Sequence, residues 1–193
     1  MGDYQFVKER LKESADVKHQ LMRNDAVINQ IIDQSAMITE KLRSGHRLFL
    51  CGNGGSAADA QHIAAELSGR FFKERPPLPV EALHVNSSYL TAVANDYNFE
   101  QVYSRAIQAH GRPGDVLIVI STSGSSPNIL KAAAKAMEMG ISVWGWTGSH
   151  GGHLDKMGFP LLKIPSDITP RIQECHILIG HILCEYIENS LFP

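Results

Sequence analysis

Apolar residues recur at three- and four-residue spacing through the first forty positions, then gather into short unbroken runs separated by polar turns. The early spacing predicts two amphipathic helices, about Asp3 to Met22 and from Asn24 or Asp25 to Leu42, with Ser44-Gly45 as the stop. From Arg47 onward the pattern becomes strand, polar turn and helix in repetition. Strands are expected at Arg47 to Cys51, Val80 to Val85, Asp115 to Ser121, Ile141 to Thr147 and Pro160 to Ile164. Helices are expected from about Ala57 to Gly69, within Ser87 to Ala94, over Glu100 to His110, over Pro127 to Met139 and from about Pro170 to Asn189.

Runs such as Val116 to Ile120 are apolar at every position, as in a strand that helices cover on both faces of a parallel sheet. The alternation therefore predicts an α/β fold, a doubly wound five-stranded parallel sheet with ligands in the crevice at the strands' carboxyl ends. A length of 193 residues suits one domain, divided into an N-terminal helical segment (1–45) and an α/β core (46–193). Lys73 to Pro79, with its three prolines, reads as a rigid connector. Trp144 and Trp146 read as core filling.

Charge adds mainly exclusions. Eighteen basic and 20 acidic residues are interspersed, for a net charge of −2, so neither a nucleic-acid groove nor a basic membrane face is indicated. No apolar run approaches the roughly 20 residues that span a bilayer. The three cysteines form no CxxC pair, which points to a reducing compartment. The expectation is a cytoplasmic protein whose partner is a small molecule.

Two polar loops carry the first candidate chemistry. Cys51-Gly52-Asn53-Gly54-Gly55-Ser56 and Ser121-Thr122-Ser123-Gly124-Ser125-Ser126 each lie between an apolar strand and a helix, so free backbone N–H groups and a positive dipole end converge on one point. The second loop adds hydroxyl donors, with Pro127 at the expected helix start. Gly52 to Ala57 also fits the dinucleotide pattern G-x-G-x-x-A, but no acidic residue ends the second strand to hold a ribose. Without a P-loop lysine, the serine-rich loop suits a monophosphate ester better than a triphosphate with magnesium.

Titratable groups supply the second. His62 and Glu66 stand four apart on one helix face, as an acid/base pair, two metal ligands or a solvated pair. Gln173, Ile177 and His181 form a row on the last helix; His176 points to another flank, and His150 and His153 read as exposed. Asn95-Asp96 ends a short helix near the crevice, either bonding sugar hydroxyls or capping the chain.

Taken together, the run from Gly52 to His62 and Glu66, the Asn95-Asp96 pair, the Ser121 to Ser126 loop and the stretch from Arg171 through Gln173 to His181 resemble the phosphoheptose isomerase family of the sugar isomerase (SIS) domain superfamily, with its flavodoxin-like fold. The resemblance spans essentially the whole chain. It implies conversion of D-sedoheptulose 7-phosphate to D-glycero-D-manno-heptose 7-phosphate, for heptose in lipopolysaccharide or other surface glycans. It also implies Glu66 as base, His181 as acid, and zinc on His62, Glu66, Gln173 and His181, with no nucleotide cofactor. Substrate would be held by Asn53, Gly54, Gly55, Ser56, Arg70, Asn95, Asp96, Ser121, Thr122, Ser123, Ser126 and Gln173, in a homotetramer with active sites at subunit interfaces. Asn98 and Pro170 depart from residues common in the family, glycine and aspartate. A related adaptor for a replication initiator protein has lost the catalytic carboxylate; Glu66 is present here and favours an enzyme.

Overall fold

In the computed structural model, which describes residues 2–193, two helices precede the sheet: α1 (Asp3–Met22) and α2 (Asp25–Arg43). There follow β1 (Leu48–Gly52), α3 (Gly55–Ser68), β2 (Val80–Ala82), α4 (Ser87–Asp96), a 3-10 turn and α5 (Val102–His110). β3 (Val116–Ile120), α6 (Pro127–Glu138), β4 (Ser142–Thr147), β5 (Leu161–Lys163) and the long α7 (Thr169–Leu191) complete the chain. All neighbouring strands are parallel, in the order β2-β1-β3-β4-β5. The chain reverses direction across the sheet between β1 and β3, so the loops after these two strands flank the switch point where α/β sheets bind ligands.

Because β1 and β3 are buried at every position, alternate residues feed two cores. Leu48, Leu50, Ile118 and Ile120 pack with Ile63, Leu67, Ile179 and Leu183 from α3 and α7. On the other face Phe49, Leu117 and Val119 pack with Ile107, Ile129 and Ala132 from α5 and α6. This double coverage is the reason the strands read as unbroken apolar runs. No helix among the described residues is long and apolar enough to cross a membrane.

Several boundaries differ from the sequence reading by one to three residues. β2 stops at Ala82 rather than Val85, since an edge strand has one partner and leaves β1 after the Leu83 N–H bonds the Leu50 carbonyl at 2.9 Å. α3 starts at Gly55 rather than Ala57: Gly54, at φ +55°, turns the chain so that Ala57 and Ala58 N–H groups already reach its carbonyl at 3.1 Å. β5 is confined to Leu161–Lys163.

α7 crosses one face of the sheet and contacts α1, α2 and α3. Where it passes β4, the Trp146 indole donates to Gln34 Oε1 at 3.0 Å, tying α2 to the sheet. His176 is fully buried beside Trp146, with Nε2 3.4 Å from the Thr147 carbonyl and Nδ1 lacking a protein partner. Burial drives its pKa down to about 4, the Thr147 contact opposing. Below about pH 6.5 the unfolded imidazole gains a proton that the folded one refuses until about pH 4, so stability falls across that window as pH falls. Asp59 works the other way, because burial raises its pKa to about 6 against the pull of His62. Subtracting a His176→Leu variant isolates the imidazole. In urea unfolding, the wild-type advantage over His176→Leu is expected to shrink by about 2 kcal/mol between pH 6.5 and pH 5; a constant difference contradicts this assignment.

Candidate active site

The Gly52 to Ser56 turn is tight enough to exclude a side chain at its first position. A Cβ on Gly52 would sit 2.5 Å from the Ser56 carbonyl oxygen, a backbone atom that cannot swing aside. Asn53 is held by reciprocal amide bonds with Asn128: Asn53 Nδ2 donates to Asn128 Oδ1 at 2.9 Å, and Asn128 Nδ2 donates to Asn53 Oδ1 at 2.8 Å. The buried Tyr103 hydroxyl donates to the Gly52 carbonyl. Across the crevice, the Ser121 N–H bonds the Trp146 carbonyl at 2.9 Å, and the Ser121 and Ser126 hydroxyls lie 3.4 Å apart. Pro127 opens α6 as the sequence indicated.

These two loops and the start of α7 enclose a cleft of about 320 Å³. Of the residues singled out beforehand, Asn53, Gly54, Gly55, Ser56, Ser121, Thr122, Ser126 and Gln173 line it, joined by Ile120 and Thr169. The N-termini of α3 and α6 both open onto it, and no side-chain cation lines it, so an anion there relies on backbone N–H groups and hydroxyls. Gln173 lies so close to Gly55 that a Cβ on Gly55 would come within 2.6 Å of its amide nitrogen. A side chain at position 55 would therefore displace the Gln173 amide from where it now lies.

Beside this cleft stands a cluster of three titratable groups. His62 and Glu66 project from one face of α3, with His62 Nε2 3.2 Å from Glu66 Oε1. His181 comes across from α7, its Nε2 3.0 Å from His62 Nε2. The two imidazoles meet edge to face with centroids 5.0 Å apart, and Phe71 stacks over His181 at 6.0 Å. One ligand atom from each of the three residues lies within 4.8 Å of the others. A tetrahedral ion bound at about 2.0–2.2 Å holds its ligand atoms about 3.3–3.6 Å apart; the 3.0 and 3.2 Å separations of His62 Nε2 from His181 Nε2 and Glu66 Oε1 need only a small adjustment, and two imidazoles plus a carboxylate are a donor set zinc accepts. The cluster can hold such an ion. Asp59, one turn before His62, keeps one buried carboxylate oxygen without a protein partner, consistent with its raised pKa of about 6.

Several of the singled-out residues lie elsewhere. Ser123 faces an adjoining hollow of about 300 Å³ with Ser149, His150 and Asp167. Arg70 is exposed beyond the end of α3; Asn95 and Asp96 are exposed in the last turn of α4, where the Asn95 amide donates to Asp96 at 2.9 Å. None of these three lines the cleft. His150 and His153 are exposed, and His176 is part of the core. Asn128, which fixes Asn53, and Thr169 were missed. An asparagine directly after a helix-starting proline was the available signal for the first, since its side chain points back toward the loop.

A carboxylate and an imidazole converging next to an anion cradle can move a proton between adjacent atoms of a phosphorylated substrate. Comparison with known proteins agrees with that chemistry. The family model described as SIS domain matches residues 11–148. The chain is 53% identical over 161 residues to the phosphoheptose isomerase of Rhodospirillum rubrum, covering 83% of this chain and 86% of the relative. It is 46% identical over 187 residues to that of Sulfurimonas denitrificans, covering 97% and 96%. Among solved structures, a phosphoheptose isomerase from Francisella tularensis matches with a TM-score of 0.93 at 35% identity, over 98% of this chain and 100% of that one. The enzyme from Neisseria gonorrhoeae matches with a TM-score of 0.90 at 38% identity, over 96% and 98%.

The crowding at Gly52 leads to a direct expectation. Gly52→Ala should lower stability by about 1–3 kcal/mol in urea unfolding, the range for overpacking a tight site, and should weaken inorganic phosphate binding measured by calorimetry. Unchanged values for both would show that the turn is not constrained as described.

Proposed function

The chain belongs to the SIS domain family and, within it, to the phosphoheptose isomerases, and we propose that it converts D-sedoheptulose 7-phosphate to D-glycero-D-manno-heptose 7-phosphate with Glu66 as base and His181 as acid. The observation that carries the assignment of roles is the meeting of Glu66 and His181, far apart in sequence, within 4.8 Å of each other and of His62. Glu66 takes the C1 proton of the ketose, leaving an enediol, and returns a proton to C2. His181 serves the oxygens, giving a proton to the C2 oxygen as the C1 oxygen loses its own. The adaptor alternative is disfavoured because the carboxylate it lacks is in place here.

Substrate length supports this reading. From Gly55 in the cradle to His62 along α3, and from Gln173 to His181 along α7, the helical rise amounts to about 10–12 Å. That separation matches an extended seven-carbon chain with phosphate at one end and the reacting carbonyl at the other. Ser121, Thr122 and Ser126 hydroxyls with the α3 and α6 amides take the phosphate, and Asn53, Gly54, Gly55, Ser56 and Gln173 line the path between. Holding the phosphate fixes the distant carbons and so contributes to rate.

Zinc is the metal we assign to the cluster, held by His62, Glu66 and His181, where it would polarise the sugar oxygens; Gln173, whose amide lies against Gly55, would join them only by turning along α7 toward His181. A cation held by Glu66 would stabilise its carboxylate and weaken it as a base, so metal binding and proton transfer would compete for that side chain.

Arg70, Asn95, Asp96 and Ser123 remain in our substrate-binding assignment, reached through assembly. Each is exposed in a single chain, as is an apolar row on α7, Leu178, Ile182 and Tyr186, and Tyr4 and Leu11 on α1 at 80% and 67% exposure. A homotetramer that covers these faces would bring such residues to the sites of neighbouring subunits. We read the chain as a single SIS domain acting in the cytoplasm to supply heptose for a surface glycan.

Two experiments test the assignments. Glu66→Gln should lower kcat by about 10²- to 10⁴-fold while calorimetric affinity for sedoheptulose 7-phosphate changes by less than about threefold; His181→Ala should follow it. Undiminished turnover in Glu66→Gln would remove that residue from the role. Dialysis against a chelator should abolish most turnover, and zinc should restore it at about one equivalent per subunit; full activity in metal-free protein would make the ion dispensable.

A further inference from the structure

Behind the reactive cluster lies an ion pair hidden inside what reads in the sequence as a plain connector. The Arg75 and Glu188 side chains are each 1% exposed, with Arg75 Nε donating to Glu188 Oε1 at 3.1 Å. Arg75 Nη2 donates to the Glu66 carbonyl at 2.9 Å, and Nη1 to the Leu67 carbonyl at 2.7 Å. Nη1 also reaches the Gly69 and Pro76 carbonyls at 3.2 and 3.1 Å. The second Glu188 oxygen accepts from the Phe72 and Lys73 N–H groups at 2.9 and 3.0 Å. Burial pushes the Glu188 carboxyl up, but these N–H bonds and Arg75 outweigh it and hold it below the usual range, so the pair is ionised.

The last carbonyls of a helix have no partner within it, and Arg75 supplies one at the very residue of α3 that carries the proposed base. Glu188 lies seven residues beyond His181 on α7, two turns along and on the same face. The pair thus joins the end of α3 that presents Glu66 to the stripe of α7 that presents His181. We propose that Arg75 and Glu188 are positioning residues for the reactive cluster, fixing the rotation and register of α3 against α7 so that His62, Glu66 and His181 keep their mutual distances. Neither touches substrate. Apolar contacts alone also hold two helices together, and a well-packed apolar pair is often no less stable than a buried ion pair. What they lack is direction: the planar guanidinium donates only to carbonyls that match its own fork geometry.

This inference rests on reading the cluster as the isomerase site, so its test uses readouts that do not depend on turnover. Removing one partner would leave an unpaired buried charge, and the main variant is therefore the double substitution Arg75→Met with Glu188→Met. It is expected to unfold cooperatively near the wild-type temperature. Zinc affinity by calorimetry should fall at least about tenfold, the usual effect of losing support behind metal ligands. In metal-free protein, the ring ¹⁵N signals of His62 and His181, distinct when their Nε2 atoms share a hydrogen, should move toward averaged values. With sedoheptulose 7-phosphate, kcat should fall about tenfold while KM stays within about twofold, since the phosphate cradle is built by other elements. Wild-type zinc affinity, ring signals and kcat in the folded double variant would overturn the proposal. Should that variant fail to fold, Arg75→Lys decides: it keeps the charge but not the fork, and wild-type values there would equally overturn it. If the wild-type chain left the heptulose phosphate unchanged, the functional reading would fail, while the ring signals would still judge the clamp.

Discussion

Where α7 crosses α3, Gly180 leaves no space for even a methyl group: a Cβ there would stand 2.5 Å from Ile63 Cδ1. Ile63 is completely buried and follows His62; Gly180 precedes His181. This close approach of the two helices is thus flanked by two of the three side chains of the cluster, whose Nε2 atoms lie 3.0 Å apart. Behind it, Leu67, Leu183 and Ile187 fill the same core, so the distance is held by packing that cannot expand without opening a cavity.

The parallel sheet contributes the other half of the geometry. Its strand order makes β1 and β3 neighbours whose following helices leave in different directions, and the two loops after them face one another across the crevice. α3 begins in that cradle and ends beside the cluster, so under the function proposed here one helix carries both the phosphate end and the reacting end of the site. A substrate that binds the first is positioned at the second by the rigid rise of the helix rather than by any flexible segment.

Much of this was legible in the sequence because it is local. Glycine and serine loops after apolar runs, a histidine and a glutamate four apart, and a glutamine and histidine on one helical row all carry their geometry in their spacing. The five strands and the long last helix were legible for the same reason. What escaped depends on distant pairings: Arg75 with Glu188, Asn128 with Asn53, and Gln34 with Trp146 each join elements whose proximity no local pattern encodes. Asn95, Asp96 and Arg70 illustrate a different limit. Their residue types suit a sugar, yet a single chain leaves them exposed and away from the cleft, because the surfaces that carry them are completed only by another copy under the assembly proposed here.

The central claim is a proton moved by Glu66 between C1 and C2 of a phosphorylated ketose, and the most direct measurement follows the hydrogens themselves. Sedoheptulose 7-phosphate is incubated with the protein in D₂O and both sugars are read by NMR. The account requires deuterium at C2 of the aldose formed and, over time, at C1 of the remaining ketose. An aldose formed while neither its C2 nor C1 of the remaining ketose takes up deuterium at any extent of conversion would point to hydride transfer between the carbons, and would contradict it.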